Sequence, residues 1–353
     1  MNPIIKEDIQ SIISEFKHWD RFRNKTVLIS GANGFLPAYL AEVFLALDAS
    51  FNTKVIAMVR NKEKAEKRFS HLLTNKNLNI LVHDVSLPVS YDEKIDFIIH
   101  AASQASPKYY GVDPVGTLSD NVQGTLHLIE LAKKNQVESF LFFSSGEVYG
   151  EVKAEDIPIK EDTFGYLNPA KVRACYGESK RMGENICVSY HAQFGVNAKI
   201  VRPFHTYGPG MSLDDGRVFA DFVANIVKGQ NIILHSDGSA IRPFCYLSDA
   251  TLGFLTVLTE GENGEPYNIG NPDQEHSILN LAHILTGLYP ENGLKVEMKI
   301  KPASANYLKS PIVRNSPNID KVMKLGWKPK VDVATGFKRT IESFLVNNNA
   351  KLN

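Results

Sequence analysis

The six residues Gly31-Ala32-Asn33-Gly34-Phe35-Leu36 constrain this chain more than any others. They follow a short apolar run, Thr26-Val27-Leu28-Ile29-Ser30, and open a largely apolar segment that reaches about Leu47. A glycine turn between a buried strand and a helix is a phosphate-binding arrangement. Gly31 permits the tight turn, and Gly34 lets the backbone approach a pyrophosphate at the helix N-terminus. Asn33, Phe35 and Leu36 lie in the same turn and are candidate cofactor contacts. Pro37 stands where the usual pattern has a third glycine, and a first helical turn tolerates it because no N–H is needed there.

A βα rhythm continues downstream. Apolar strands are expected at 54–59, 79–82, 96–100 and 139–143, with helical segments between them, and a further strand at 198–201. Alternation of this kind predicts an α/β fold, a Rossmann-type doubly wound parallel sheet. Beyond residue 205 the pattern loosens into Gly-, Pro- and Asn-rich mixed elements. This predicts a smaller substrate-binding lobe over 206–353, some of whose segments return to the nucleotide-binding domain at 25–205. Residues 1–24 are expected to form a helical extension, since Ile9, Ile12, Ile13, Phe16 and Trp19 recur at roughly helical spacing up to Phe22.

With 39 basic and 39 acidic residues among 353, formal net charge is zero, which gives no electrostatic reason to bind nucleic acid or an anionic membrane. No apolar run is long enough to span a bilayer, and the N-terminus lacks the apolar stretch of a secretory signal. The three cysteines, Cys175, Cys187 and Cys245, have no metal-ligand spacing and read as reduced thiols of a cytoplasmic protein. No metal is expected.

Tyr176 and Lys180 lie one helical turn apart and so share a helix face. A free tyrosine ionises near about pH 10, and a nearby ammonium is expected to lower that value toward a working base. Upstream, Ser145 and Glu147 sit just beyond the strand at 139–143. The serine hydroxyl can bond an oxygen undergoing oxidation. Arg60 ends the second strand, where a carboxylate would bond the ribose 2′-hydroxyl of NAD and an arginine can accept the 2′-phosphate of NADP. Asp84, next to Val85, could accept from an adenine amine, though an aspartate there is often only a turn residue. Arg217, Arg242 and Arg314 could neutralise a diphosphate or a sugar carboxylate.

The stretches His100–Pro107 with Tyr110, Asn121–Thr125, Arg173–Arg181, Asp215–Val218, Arg242–Asp249, Asn268–Pro272 and Leu325–Trp327 resemble the extended short-chain dehydrogenase/reductases, the NAD-dependent epimerase/dehydratase family. The resemblance spans about residues 25–345 and is nearest to members that decarboxylate UDP-glucuronate. It implies a nucleotide-sugar enzyme in which bound NAD transiently oxidises C4, with 4,6-dehydration or 4-epimerisation as alternatives. A more remote alternative is a non-catalytic nucleotide-binding protein on the same fold. Under the resemblance Tyr176 is the base, Lys180 its partner and ribose anchor, Ser145 the catalytic hydroxyl, and Glu147 the glutamate shared by decarboxylases and dehydratases. Ala101, Ala102 and Ser103 border the cofactor. Tyr110, His205, Arg217, Arg242 and Arg314 border the substrate, and the Asn121 and Tyr176 helices form a homodimer interface. Four residues depart from the family pattern. Arg60 replaces the NAD-selecting aspartate, which leaves NADP open, and Pro37 replaces a glycine. Gly146 replaces the aspartic acid of dTDP-glucose-type dehydratases, and His205 replaces an asparagine.

Overall fold

In the computed structural model, which describes residues 1–299 and 312–349, every expected strand joins one sheet. β1 (Thr26–Ser30), β2 (Lys54–Val59), β3 (Leu78–Val82), β4 (Phe97–His100), β5 (Ser139–Phe143) and β6 (Ala198–Pro203) are apolar runs. β1, β2, β4 and β5 are buried almost throughout, as strands of a parallel sheet covered on both faces must be. Later come β7 (His205–Tyr207), β8 (Ile232–Leu234), β9 (Ile241–Tyr246), β10 (Pro266–Ile269), β11 (Glu275–Ser277) and β12 (Val296–Met298). The large sheet runs β10-β6-β5-β4-β1-β2-β3 and is parallel at every pairing. The order reverses between β1 and β4, and ligands of such sheets bind at that switch point. β10 comes from the C-terminal half and lies beside β6, while β11-β9-β7 and β12-β8 form two small sheets of their own. Of the expected 206–353 lobe, residues 300–311 and 350–353 lie outside the described residues.

The helices are α1 (Pro3–Glu15), α2 (Phe35–Leu45), α3 (Lys62–Arg68), α4 (Pro107–Tyr110), α5 (Pro114–Asn135), α6 (Cys175–Phe194), α7 (Val218–Val227), α8 (Leu247–Glu260), α9 (Ile278–Gly287), α10 (Asp320–Met323) and α11 (Val333–Asn349). One face of the large sheet packs with α1, α2 and α8, and the other with α5 and α6. A third apolar cluster, built around Phe219, Phe244 and Phe337, fills the C-terminal part. No helix among the described residues is long and apolar enough to cross a membrane.

The N-terminal segment is not one helix to Phe22. α1 ends at Glu15, Phe16 is extended, and Trp19–Phe22 form a 3₁₀ turn. The break has a packing cause. Phe16, Trp19 and Phe22 close on one another and on Phe44 of α2, and Phe22 also meets Phe97 of β4. The extended Phe16 and the 3₁₀ turn that follows bring all three rings onto that surface. α1 also carries a buried carboxylate, Asp8, which accepts from Tyr39 (2.9 Å), Tyr246 (2.7 Å) and Arg339 (2.7 Å). One side chain therefore joins α1, the glycine-turn helix α2, the end of β9 and α11.

Removing that carboxylate takes the shared acceptor from two buried hydroxyls and leaves Arg339 with only Glu7 as a countercharge, a loss of about 3 kcal/mol. Asp8→Ala is expected to lower the unfolding free energy by that amount in urea titration. A loss within experimental scatter would show that α1 does not hold the fold together.

Candidate active site

The glycine turn sits at the carboxyl end of β1. Gly31 has φ +64°, and a Cβ there would lie 2.7 Å from Ala102 Cα, so only glycine lets the turn press against the segment leaving β4. Ser30 fixes this approach. Its Oγ lies 2.8 Å from His100 Nδ1 and accepts the N–H groups of Ala101 and Ala102 at 3.1 Å. Burial, then the Lys180 charge, push His100 down to about 3, so it is a neutral imidazole in this latch. Gly34 caps α2, and Pro37 is buried in its first turn with its ring against Gly34. The first N–H groups of a helix have no intrahelical partner, and here they open where the sheet order reverses. Asn33, Phe35 and Leu36 line that opening, half-buried, and the Ser103 hydroxyl is buried with no partner among the described residues. These residues fit a dinucleotide pyrophosphate.

Asp84 and Val85 follow β3. Asp84 Oδ1 accepts from the N–H and hydroxyl of Ser86 at 2.9 and 2.8 Å, the turn role weighed in the sequence. Burial raises its carboxyl, but the Ser86 hydrogen bonds and the Arg60 charge outweigh that and hold it below the ordinary range. Val85 is a packing residue, and Gly124 of α5 approaches it so closely that a Cβ would lie 2.9 Å from its methyl.

α6 carries the reactive pair. Tyr176 is buried and stacks on Tyr110, with ring centroids 5.0 Å apart and planes 16° from parallel. Tyr110 is anchored through its hydroxyl to the Ala105 carbonyl at 2.9 Å. Lys180 is buried too, and its ammonium donates to the Phe143 carbonyl at 2.6 Å while lying 5.8 Å from the Tyr176 ring centroid. The expected lowering of the Tyr176 pKa by Lys180 does not prevail among the groups that surround the phenol. Burial pushes Tyr176 up to about 12, with the Ser145 hydrogen bond, Arg217 and Arg173 opposing and Glu147 reinforcing. Burial also drives Lys180 down to about 7, against the pull of Asp120 and Glu184.

Ser145 caps the short turn Gly146–Tyr149 by accepting from Glu147 N at 3.2 Å. Gly146 faces the Phe204 ring, whose atoms would lie 3.1–3.3 Å from a Cβ. Glu147 is ion-paired with Arg173, Nη2 lying 3.1 and 3.3 Å from its two oxygens. Arg173 was not singled out in the sequence. It precedes α6 by two residues, and its guanidinium lies 4.9 Å from the Tyr110 ring centroid. The signal was its position three before Tyr176, one turn back on the same face.

The remaining candidates divide. Arg217 and Arg242 both depress the half-buried His205, although desolvation of its ring is the larger cause. His205 Nδ1 is buried without a partner among the described residues. Arg217 is gripped by Asp215 (Nε to Oδ2 2.8 Å), and its charge reaches Tyr176. Arg242 donates to the carbonyls of Ile241, Ile312 and Val313. Arg314 forms a two-pronged pair with Glu275 at 2.7 and 2.6 Å, at the edge of the small sheet. Among the described residues, nothing in its contacts ties it to the Tyr176 group.

Fold and site together define an enzyme of the Rossmann type. The profile of the "NAD dependent epimerase/dehydratase family" matches residues 27–270. UDP-glucuronic acid decarboxylase 3 of Arabidopsis thaliana is 35% identical over 334 residues, 94% of this chain and 92% of that protein. Among solved structures, a UDP-glucuronic acid 4-epimerase of Bacillus cereus with NAD superposes with TM-score 0.77 at 22% identity, covering 93% of this chain and 100% of that one. A dTDP-glucose 4,6-dehydratase of Bacillus anthracis in complex with NAD gives 0.75 at 20% identity, covering 93% and 98%. The chain belongs to the NAD-dependent epimerase/dehydratase family.

Because burial holds Tyr176 protonated, the phenolate absorbance lost in Tyr176→Phe is expected to be absent below about pH 11 in nucleotide-free protein. A Tyr176 phenolate band at neutral pH in an ultraviolet titration would contradict the burial argument.

Proposed function

We propose that the protein removes carbon dioxide from a nucleotide-linked uronic acid, as a UDP-glucuronate decarboxylase does. The observation that carries this reading is the Glu147–Arg173 ion pair beside Tyr176, next to a position 146 that Phe204 keeps closed. A dehydratase must protonate a departing hydroxyl, and the family's dehydratases place an aspartic acid where this chain has Gly146. A side chain there meets the Phe204 ring at 3.1 Å. Carbon dioxide needs no such acid, because it leaves without a proton. The decarboxylase relatives matching over nearly the whole chain support the same choice.

NAD, when bound, supplies reversible oxidation at C4 of the sugar. The work of the chain is to move protons and hold charge. Tyr176 takes the C4 hydroxyl proton and later returns it, and Ser145 bonds the same oxygen. Lys180 supplies the positive charge that makes a phenolate accessible once substrate and cofactor displace water. With C4 a ketone, a C6 carboxylate is a β-keto acid. Its bond to C5 breaks, carbon dioxide departs, and the electron pair remaining on C5 is delocalised into the C4 carbonyl until a proton arrives. Glu147, ion-paired with Arg173, is the carboxylate placed to relay that proton from solvent to C5. His205, Arg217 and Arg242 would meet the diphosphate and sugar, with Tyr110 stacking beside them, while Arg314 would act only if it exchanged Glu275 for substrate.

A homodimer through α5 and α6 belongs to the same reading. The two helices pack together and leave Leu118, Leu126, Met182 and Val188 exposed on their outer surface.

Incubation with UDP-glucuronate is expected to yield a UDP-pentose with loss of carbon dioxide by mass spectrometry, and Tyr176→Phe should lower kcat by about 10³-fold. Loss of water from UDP-glucose, or a UDP-hexuronate of unchanged mass that chromatography resolves as an epimer, would overturn the decarboxylase reading.

A further inference from the structure

Arg60 follows β2 at the point where NAD-binding sheets usually present a carboxylate and where an arginine ordinarily signals a 2′-phosphate. Its surroundings argue otherwise. Arg60 Nη1 lies 3.6 Å from Asp120 Oδ1, and the Asp120 side chain, on α5, is only 5% exposed. Two more carboxylates feel the Arg60 charge: Asp84 after β3, and Asp113 at the N-cap of α5. Asp113 is itself fixed by Gln104 (2.9 Å) and Gly116 N (3.0 Å), and Asp84 by Ser86, so neither is free to swing away. One guanidinium therefore touches one buried acid and acts on two more, two of the three belonging to α5 and one following β3, and the group is acidic in sum. Among the described residues, a second cation that acts on Asp120 is Lys180, whose ammonium donates to Phe143.

We propose that Asp120, by holding Arg60, makes the adenosine end of this site select NAD over NADP, and that Arg60 does not serve as a 2′-phosphate acceptor. A 2′-phosphate brings about two negative charges toward these acids. It would compete with Asp120 for the one guanidinium, and whatever Arg60 gave the phosphate would be taken from a buried carboxylate. The neutral 2′-hydroxyl of NAD demands neither, and the surrounding carboxylates can accept its hydrogen. The selecting charge has moved from the end of β2 to α5, with the same sign it has in chains that carry an aspartate at position 60.

The test is calorimetric titration of full-length, nucleotide-stripped protein with NAD and with NADP, which reads binding and not turnover. The wild type should favour NAD. Asp120→Asn should reduce that preference at least about tenfold by strengthening NADP binding, because the freed guanidinium then meets the phosphate. Adding Arg60→Ala to that variant should abolish the gain. Should Asp120→Asn fail to fold, Asp84→Asn reads the same effect from the other side of Arg60, with a smaller gain in NADP affinity. Equal binding of NAD and NADP by the wild type, or an unchanged ratio in these variants, overturns the proposal.

Discussion

The candidate active site depends on one buried ammonium. Lys180 is sealed from solvent and hydrogen-bonded to the Phe143 carbonyl at 2.6 Å, which fastens α6 to the carboxyl end of β5. A buried charge survives only with hydrogen bonds and countercharge. Here the carbonyl supplies the first, while Asp120 and Glu184 supply the second. The same helix then sets Tyr176 one turn earlier and Arg173 just before its start, so anchoring Lys180 fixes the three groups in register. Its depressed pKa of about 7 is the cost of that placement, and a bound substrate or cofactor that adds negative charge nearby would restore the proton.

Around this anchor the sheet is braced by polar contacts that its apolar core cannot supply. Glu184 on α6 pairs with Arg202 of β6 at 2.6 Å and accepts from Ser144 at 2.5 Å. Arg202 also reaches the Tyr149 hydroxyl at 2.7 Å, and Tyr149 bonds Asn268 of β10 at 2.6 Å. The turn that carries Ser145 and Glu147 is thus clamped by a network that joins β6, β10, α6 and the residue after β5. Removing any one member strands the others in a dry environment. That rigidity suits a site that must move a proton without moving the backbone.

Much of this was legible in the chain because it is local. The glycine turn, the strand–helix rhythm and the Tyr176–Lys180 spacing are encoded over a few residues each, and every strand expected in 26–201 is present within about two residues. What escaped depends on distant partners. Arg173 gains its meaning from Glu147, 26 residues earlier, and the group of acids around Arg60 draws on residues 84, 113 and 120. The direction of the Tyr176 pKa could not be read from spacing, because burial is a property of the assembled site and outweighs a neighbour on the same helix. The small sheets of the C-terminal part were illegible for another reason. β7 and β11 have three residues each, too short to show a period, and their pairing with β9 is parallel on one side and antiparallel on the other.

The central claim is that Glu147 and Tyr176 serve a reaction that opens C5 of a uronic acid to solvent. Proton NMR of the product formed from UDP-glucuronate in deuterated water tests it most directly. A decarboxylase site predicts a UDP-pentose with one deuterium at C5 and the substrate's own hydrogen still at C4. A six-carbon product inverted at C4 with no deuterium would contradict it and make the site an epimerase.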